Sequence, residues 1–245
     1  MNMNSDTKSS AALLLSIIAI IISLFGGGIF TNQPLDGPDG FLKMTAKEVG
    51  MSSRAYDKCI ADPTIADLVD ADIADTDAIA AYTQLQGIGT PFNLIVTDTQ
   101  VIPVSGAYPY EFFDLVVKTI NETGTVSQDI LDQFAITEFD SGIRDIVSPF
   151  NPDNDHYRGS TTPSITIIEY SDLQCPFCAR VHPTFQQILN ENENVTWVYR
   201  QLPLTSLHPQ ALPAAIASEC VAREEGNDAF WQFADTVFEN QDQLQ

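Results

Sequence analysis

Residues 164–178 read SITIIEYSDLQCPFC. The β-branched run predicts a buried strand over Ser164–Tyr170. A helix is then expected from about Pro176 to Leu189, with Val181, Phe185, Ile188 and Leu189 on its buried face. A strand, a short turn, then Cys-x-x-Cys opening a helix narrows the fold more than any other stretch. A helix N-terminus carries free backbone N–H groups and a partial positive charge. Both favour a thiolate on Cys175, lower its pKa and make it a good leaving group. Cys175 is therefore expected as the exposed attacking sulfur, and Cys178, one turn deeper, as the resolving thiol. Pro176 suits the first turn, where a missing N–H costs little. Two other uses of the motif compete with redox exchange. Zinc would normally need a second ligand pair, and only His182 is near. The cysteines could also form a purely structural disulfide. Glu169, six residues before Cys175, is either a buried proton relay with its pKa raised by desolvation or a strand-end residue reaching solvent. Asp172 is the competing acid.

The chain has 245 residues, with 33 acidic against 11 basic and a formal charge of −22. Such a balance repels phosphate backbones and anionic lipid, so nucleic acid is not an expected partner. Apolar residues separate the acids throughout, which argues against a disordered acidic tail. A solvated acidic surface and a salt-rich habitat both fit. Ala11–Phe30 (AALLLSIIAIIISLFGGGIF) is uncharged and about as long as a bilayer core requires. Lys8 ahead of it places the N-terminus in the cytoplasm by the positive-inside tendency. The segment is expected as an uncleaved transmembrane anchor, with a cleaved signal peptide as the competing reading. Either exports the remainder to the periplasm or cell exterior, where thiols tend to be paired or catalytic.

After a turn-rich linker, short helices are expected over Phe41–Gly50 and Ser53–Ala61. A longer one opens at Asp62-Pro63 and breaks near Asp75–Asp77. Phe92–Val96 and Gln100–Val104 read as a hairpin. Pro109–Ile120 reads as an amphipathic helix with Phe112, Leu115, Val116 and Ile120 on one face. Asn121–Pro163 reads mostly as connector, with one helical turn at Gln128–Phe134. Val195–Arg200 is a further strand, and Pro209–Glu225 and Asp228–Glu239 are helices.

The stretches IIEYSDLQCPFCARVHPTF, WVYRQLPLTSLHPQALPAAIASECVAREEG and FWQFADTVFENQ strongly resemble the first half of DsbA-like thiol–disulfide oxidoreductases. KMTAKEVGMSSRAYDKCI, GIGTPFNLIV and VIPVSGAYPYEFFDLVVKTI resemble that family's second half, yet they come first in the chain. The resemblance implies an α/β, thioredoxin-like sheet with a helical insertion, circularly permuted, plus one N-terminal transmembrane helix. Residues 1–35 are then the cytoplasmic tip, anchor and start of the linker. Residues 36–121 are the second half of the fold, 122–160 a connector and 161–245 the first half. A fragment of a tandem array and an intertwined dimer compete with the permutant.

The resemblance also implies roles. Pro91 would be a cis-proline facing Cys175, with Thr90 beside it, in a loop that orients the substrate chain. Cys59 and Cys220 would form a structural disulfide between insertion helices. His208 matches a family position, but no chemistry follows for it from the sequence. The implied activity is oxidation of exported proteins with free thiols through a Cys175–Cys178 disulfide. Re-oxidation would come from a quinone-linked membrane oxidase, and no bound cofactor or metal is implied. A reductase or isomerase of the same fold, or a non-catalytic binding or scaffold relic, stands as the alternative.

Overall fold

Five strands form one sheet in the computed structural model, which describes residues 37–245. The elements in chain order are α1 (Pro38–Glu48), α2 (Ser53–Ile60), α3 (Thr64–Thr83), β1 (Phe92–Val96), β2 (Val101–Ser105), α4 (Tyr110–Thr123) and α5 (Gln128–Leu131). Then follow β3 (His156–Gly159), β4 (Ile165–Ser171), α6 (Pro176–Glu191), β5 (Val195–Gln201), α7 (Ala211–Glu225) and α8 (Asn227–Glu239). The expected anchor at Ala11–Phe30 lies outside the described residues. Among the described residues no helix is long and apolar enough to cross a membrane.

The sheet order is β2-β1-β4-β5-β3. β4 and β5 run parallel at the centre, with α6 as their crossover, and the other pairings are antiparallel. A parallel pair needs cover on both faces. Alternate residues supply it here. Ile165, Ile167, Val195 and Trp197 face a core shared with α1, α2, α4, α6, α7 and α8, while Ile168, Tyr170 and Val198 face a second core with Ile79, Ile143 and Val147. β1 comes from the N-terminal part of the described chain and β4 from the C-terminal part. Their register, Phe92 to Tyr170 through Val96 to Thr166, joins the two parts into one sheet within one chain.

Three local expectations change. First, α3 runs unbroken from Thr64 to Thr83. Asp75, expected to help break the helix, is instead buried beneath it. Its carboxylate takes the Arg200 guanidinium at 2.9 Å, the Tyr170 hydroxyl, and the Ser148 N–H at 3.1 Å. A buried carboxylate is tolerated only when paired and hydrogen-bonded, and these partners meet that condition. Second, the buried face of α4 consists of Phe112, Phe113, Val116, Val117 and Ile120, and Leu115 is exposed. Third, the stretch expected to connect, 122–160, also builds structure. Arg144 donates to the Gln100 carbonyl at 2.9 Å, and β3 adds an edge strand to β5. β3 ends at Gly159, whose φ is +107°. A Cβ there would lie 2.3 Å from the Val195 carbonyl oxygen, so only glycine fits.

The helical layer is closed by a disulfide between Cys59 on α2 and Cys220 on α7, with Cα atoms 5.8 Å apart. Arg223 on α7 reaches Asp62 at 2.9 Å, just past α2. Asp72 on α3 accepts the Gln201 N–H at 2.7 Å.

Candidate active site

β4 delivers Ser171 and Asp172 to the edge of the core, and the chain turns through Leu173 and Gln174 into α6. Cys175 is the N-cap of that helix and Pro176 occupies its first turn. Several contacts fix the turn. The Cys175 N–H donates to the Asp172 carbonyl at 2.9 Å. Gln241 Nε2, close to the end of the described chain, donates to the Leu173 and Cys175 carbonyls at 2.8 and 3.0 Å. Asp172 is not a relay to the sulfurs. Its carboxylate accepts the Gln174 N–H at 2.8 Å and the Leu204 N–H at 2.9 Å, and pairs with His208 Nδ1 at 2.7 Å. It therefore binds the loop after β5 to the loop before the cysteines, and this gives His208 its place.

Thr90-Pro91 is a cis peptide leading into β1. The Thr90 carbonyl lies 3.5 Å from Cys175 Sγ, and Pro91 is buried. This loop changes one expectation. Cys175 is 3% exposed, so the attacking sulfur is not open at the surface. Between the cysteines both Pro176 and Phe177 are exposed, Phe177 at 49%.

The two thiols differ sharply. The Cys175 thiol is lowered from an ordinary 9.0 to about 5, chiefly by a hydrogen bond from the Cys178 thiol. Burial opposes the shift; Thr90 and the N–H groups of Cys178 and Phe177 add to it. Those two N–H groups are the free donors of a helix N-terminus. Cys178 is fully buried, and burial pushes its thiol well up, with the bond to Cys175 and the charge of Glu169 acting in the same direction. Its Sγ takes the Asp172 N–H at 3.5 Å.

Glu169 does not reach solvent. It is fully buried on β4, and desolvation raises its carboxyl to about 7. Ser171 Oγ donates to Oε1 at 2.7 Å and Trp197 Nε1 donates to Oε2 at 2.9 Å, which moderates the rise. Tyr199 stands opposite Glu169 in the β4–β5 register with a buried hydroxyl that has no hydrogen-bond partner. Burial and the neighbouring Cys178 and Glu169 keep that hydroxyl neutral. The fold thus brings Thr90, Pro91, Glu169, Cys175 and Cys178 together, and leaves Cys59 and Cys220 apart as a staple between helices. Ser171, Trp197, Tyr199 and Gln241 escape sequence reasoning. Only the alternation along β4 and β5 hints at the first three.

His182 turns away from the cysteines to Asp235, at 2.6 Å, which also holds Arg158. Among the described residues no group of three His, Cys, Asp or Glu side chains is arranged to hold a metal ion.

A family model described as Thioredoxin matches residues 151–245. The fold is thioredoxin-like, with a mixed sheet flanked by helices. Among curated proteins, the chain is similar to Na(+)/H(+) antiporter NhaA 3 of Salinispora tropica, 42% identical over 103 residues, which is 42% of this chain and 15% of that protein. It is similar to Na(+)/H(+) antiporter NhaA 1 of Salinispora arenicola, 38% identical over 110 residues, 45% of this chain and 16% of that protein. NhaA 1 of Mycolicibacterium gilvum is 35% identical over 101 residues, 41% of this chain and 16% of that protein. The matched region spans about a sixth of the length of these relatives.

Proposed function

We propose that this chain is an exported thiol–disulfide oxidoreductase of the DsbA-like kind, its two halves in circularly permuted order, that oxidises thiols of exported proteins. One observation carries the reading. Within one buried pair, the helix-capping thiol is lowered to about 5 while its partner is raised, with Glu169 held near 7 behind them. That asymmetry divides the labour of thiol–disulfide exchange. A substrate thiolate attacks Cys175 Sγ of the Cys175–Cys178 disulfide. The S–S bond breaks, and Cys178 leaves with the electron pair and takes up a proton. A second substrate thiol, losing its proton, attacks the substrate sulfur of the mixed disulfide, and Cys175 leaves as thiolate. The substrate loses two electrons and the enzyme gains them. A low pKa at Cys175 stabilises the reduced enzyme, which favours the oxidising direction. Return of the disulfide needs an oxidant, in this proposal a quinone-linked membrane oxidase.

The permuted order, with halves at 36–121 and 161–245, is supported by pairing within one chain. β1 lies against β4, and Thr90 lies against Cys175. A tandem fragment or an intertwined dimer would require those contacts from another domain or chain. Export rests on Ala11–Phe30 as anchor. Antiport is not carried over from the relatives' name, because only about a sixth of their length is matched.

The test is to offer Cys178→Ala a cysteine peptide activated as its glutathione mixed disulfide. The peptide should couple to Cys175, with the rate following a thiol that titrates near 5. A Cys175 that titrates near 9.0, or fails to couple, rejects catalysis. Equilibration of the wild-type pair with glutathione sets the direction. A potential near that of thioredoxin, about −270 mV, rejects the oxidase reading.

A further inference from the structure

The proposed exchange moves a proton at Cys178 in a place without solvent. Cys178, Glu169 and Ser171 are each 0% exposed. No hydrogen bond joins Glu169 to Cys178 among the described residues; its oxygens accept from Trp197 and Ser171 instead. The Asp172 N–H donates to Cys178 Sγ, which seats the sulfur against the Ser171–Asp172 peptide. The Ser171 hydroxyl also bonds to the Cys178 thiol, working against the rise in its pKa, and so it touches both the sulfur and the carboxylate.

The geometry points to Ser171 as the proton link between Cys178 and Glu169, a role that rests on the exchange reading above. When Cys178 attacks Cys175 in a mixed disulfide, the sulfur's proton passes to Ser171 Oγ. The hydroxyl's own proton passes to Glu169 Oε1 at 2.7 Å. The Cys175–Cys178 bond forms, the bond from Cys175 to the outer sulfur breaks, and that sulfur leaves with the electron pair. In the opposite direction the same two hops reprotonate Cys178.

Other neighbours do not offer this route. Asn93, paired with Glu169 across β1 and β4, spends its amide hydrogens on the Val104 and Gly106 carbonyls. The Tyr199 hydroxyl has no hydrogen-bond partner. Asp172 is occupied by Gln174, Leu204 and His208. The titratable groups facing the link are Cys175, Cys178, Glu169, Asp172 and Tyr199, from β4, the following turn, α6 and β5. The carboxyl fits the role: Glu169 at about 7 can accept and return a proton near neutrality.

The experiment charges Cys175 with glutathione and follows glutathione release, which reports attack by Cys178, across pH. Ser171→Ala should slow release on the order of a hundredfold near neutrality, the low end of general acid–base contributions. Ser171→Thr, which keeps the hydroxyl, should retain the wild-type rate, and the Cys175 titration should stay near 5 in both. Ser171→Ala combined with Glu169→Gln should be no slower than the slower single variant, since both cut one path. Release from Ser171→Ala at the wild-type rate, or multiplicative losses in the double variant, overturns the link. If Ser171→Ala does not fold, the near-isosteric pair Ser171→Val and Ser171→Thr decides by the same criterion. Failure of glutathione to attach to Cys175 in any form rejects the exchange reading itself, and the link with it.

Discussion

The two cysteine pairs of this chain lie buried in one core and differ in what surrounds their sulfurs. Cys175 and Cys178 are separated by two residues, at the start of a helix, with a loop carbonyl at 3.5 Å and a buried acid behind. Cys59 and Cys220 are separated by 161 residues and join two packed helices. Neither starts a helix: Cys59 lies in the last turn of α2 and Cys220 in the interior of α7. Proximity in sequence therefore does not decide what a pair does. The donors and charges around the sulfurs divide one pair into a lowered and a raised thiol and leave the other as a cross-link.

That contrast can be broken experimentally. Cys175→Ser should abolish exchange, a loss of at least about a thousandfold, as expected when the nucleophile itself is removed. Exchange of a thiol substrate measures this, and the Cys59→Ala/Cys220→Ala variant should keep its activity wherever it stays folded. Reduced wild type should also gain stability over Cys175→Ser as pH rises. The Cys175 pKa is depressed in the fold, so its contribution is complete above 9.0 and lost as pH falls through about 5.

The second effect falls on the structural pair. Loop entropy over 161 residues gives roughly 5 kcal/mol for the Cys59–Cys220 link. Denaturant unfolding of Cys59→Ala/Cys220→Ala should show a loss of that order. A midpoint unchanged from the parent would make the bridge a bystander.

The smallest effect concerns the acid. Glu169 titrates at 4.5 ordinarily and about 7 in the fold, so the folded state is penalised once the unfolded carboxyl ionises. The penalty grows from pH 4.5 and is complete above pH 7. It amounts to on the order of 3 kcal/mol. Wild-type stability should fall relative to Glu169→Gln across that window, as read from unfolding at a series of pH values. Parallel pH profiles would mean that Glu169 is not desolvated.

The candidate site was largely legible because its determinants are local. SITIIEY reads as a strand, and Cys-x-x-Cys after a short turn reads as a helix start, so the low pKa of Cys175 follows without tertiary information. What escaped depends on partners far along the chain. Asp75 sits inside an unbroken helix only because Arg200 and Tyr170 meet it there, 125 and 95 residues later. β3 (HYRG) has no apolar alternation and exists because β5 offers a free edge. Leu115 fits a helical stripe, but the buried face of α4 includes Phe113 and Val117 as well, which turns Leu115 outward.

The sequence by itself determined the strand–turn–helix around the cysteines, the acid six residues before Cys175, and the order of the elements along the chain. Each of these follows from short-range sterics, hydrogen bonding and hydrophobic period. Tertiary structure alone decided that β1 lies beside β4 and that Glu169 is sealed behind Ser171 and Trp197, while the Thr90 cover over Cys175 and the meeting of Cys59 with Cys220, both implied by the family resemblance, needed it for their realisation. These are contacts between segments far apart in the chain, chosen by which apolar faces can be buried together, and no local pattern encodes them.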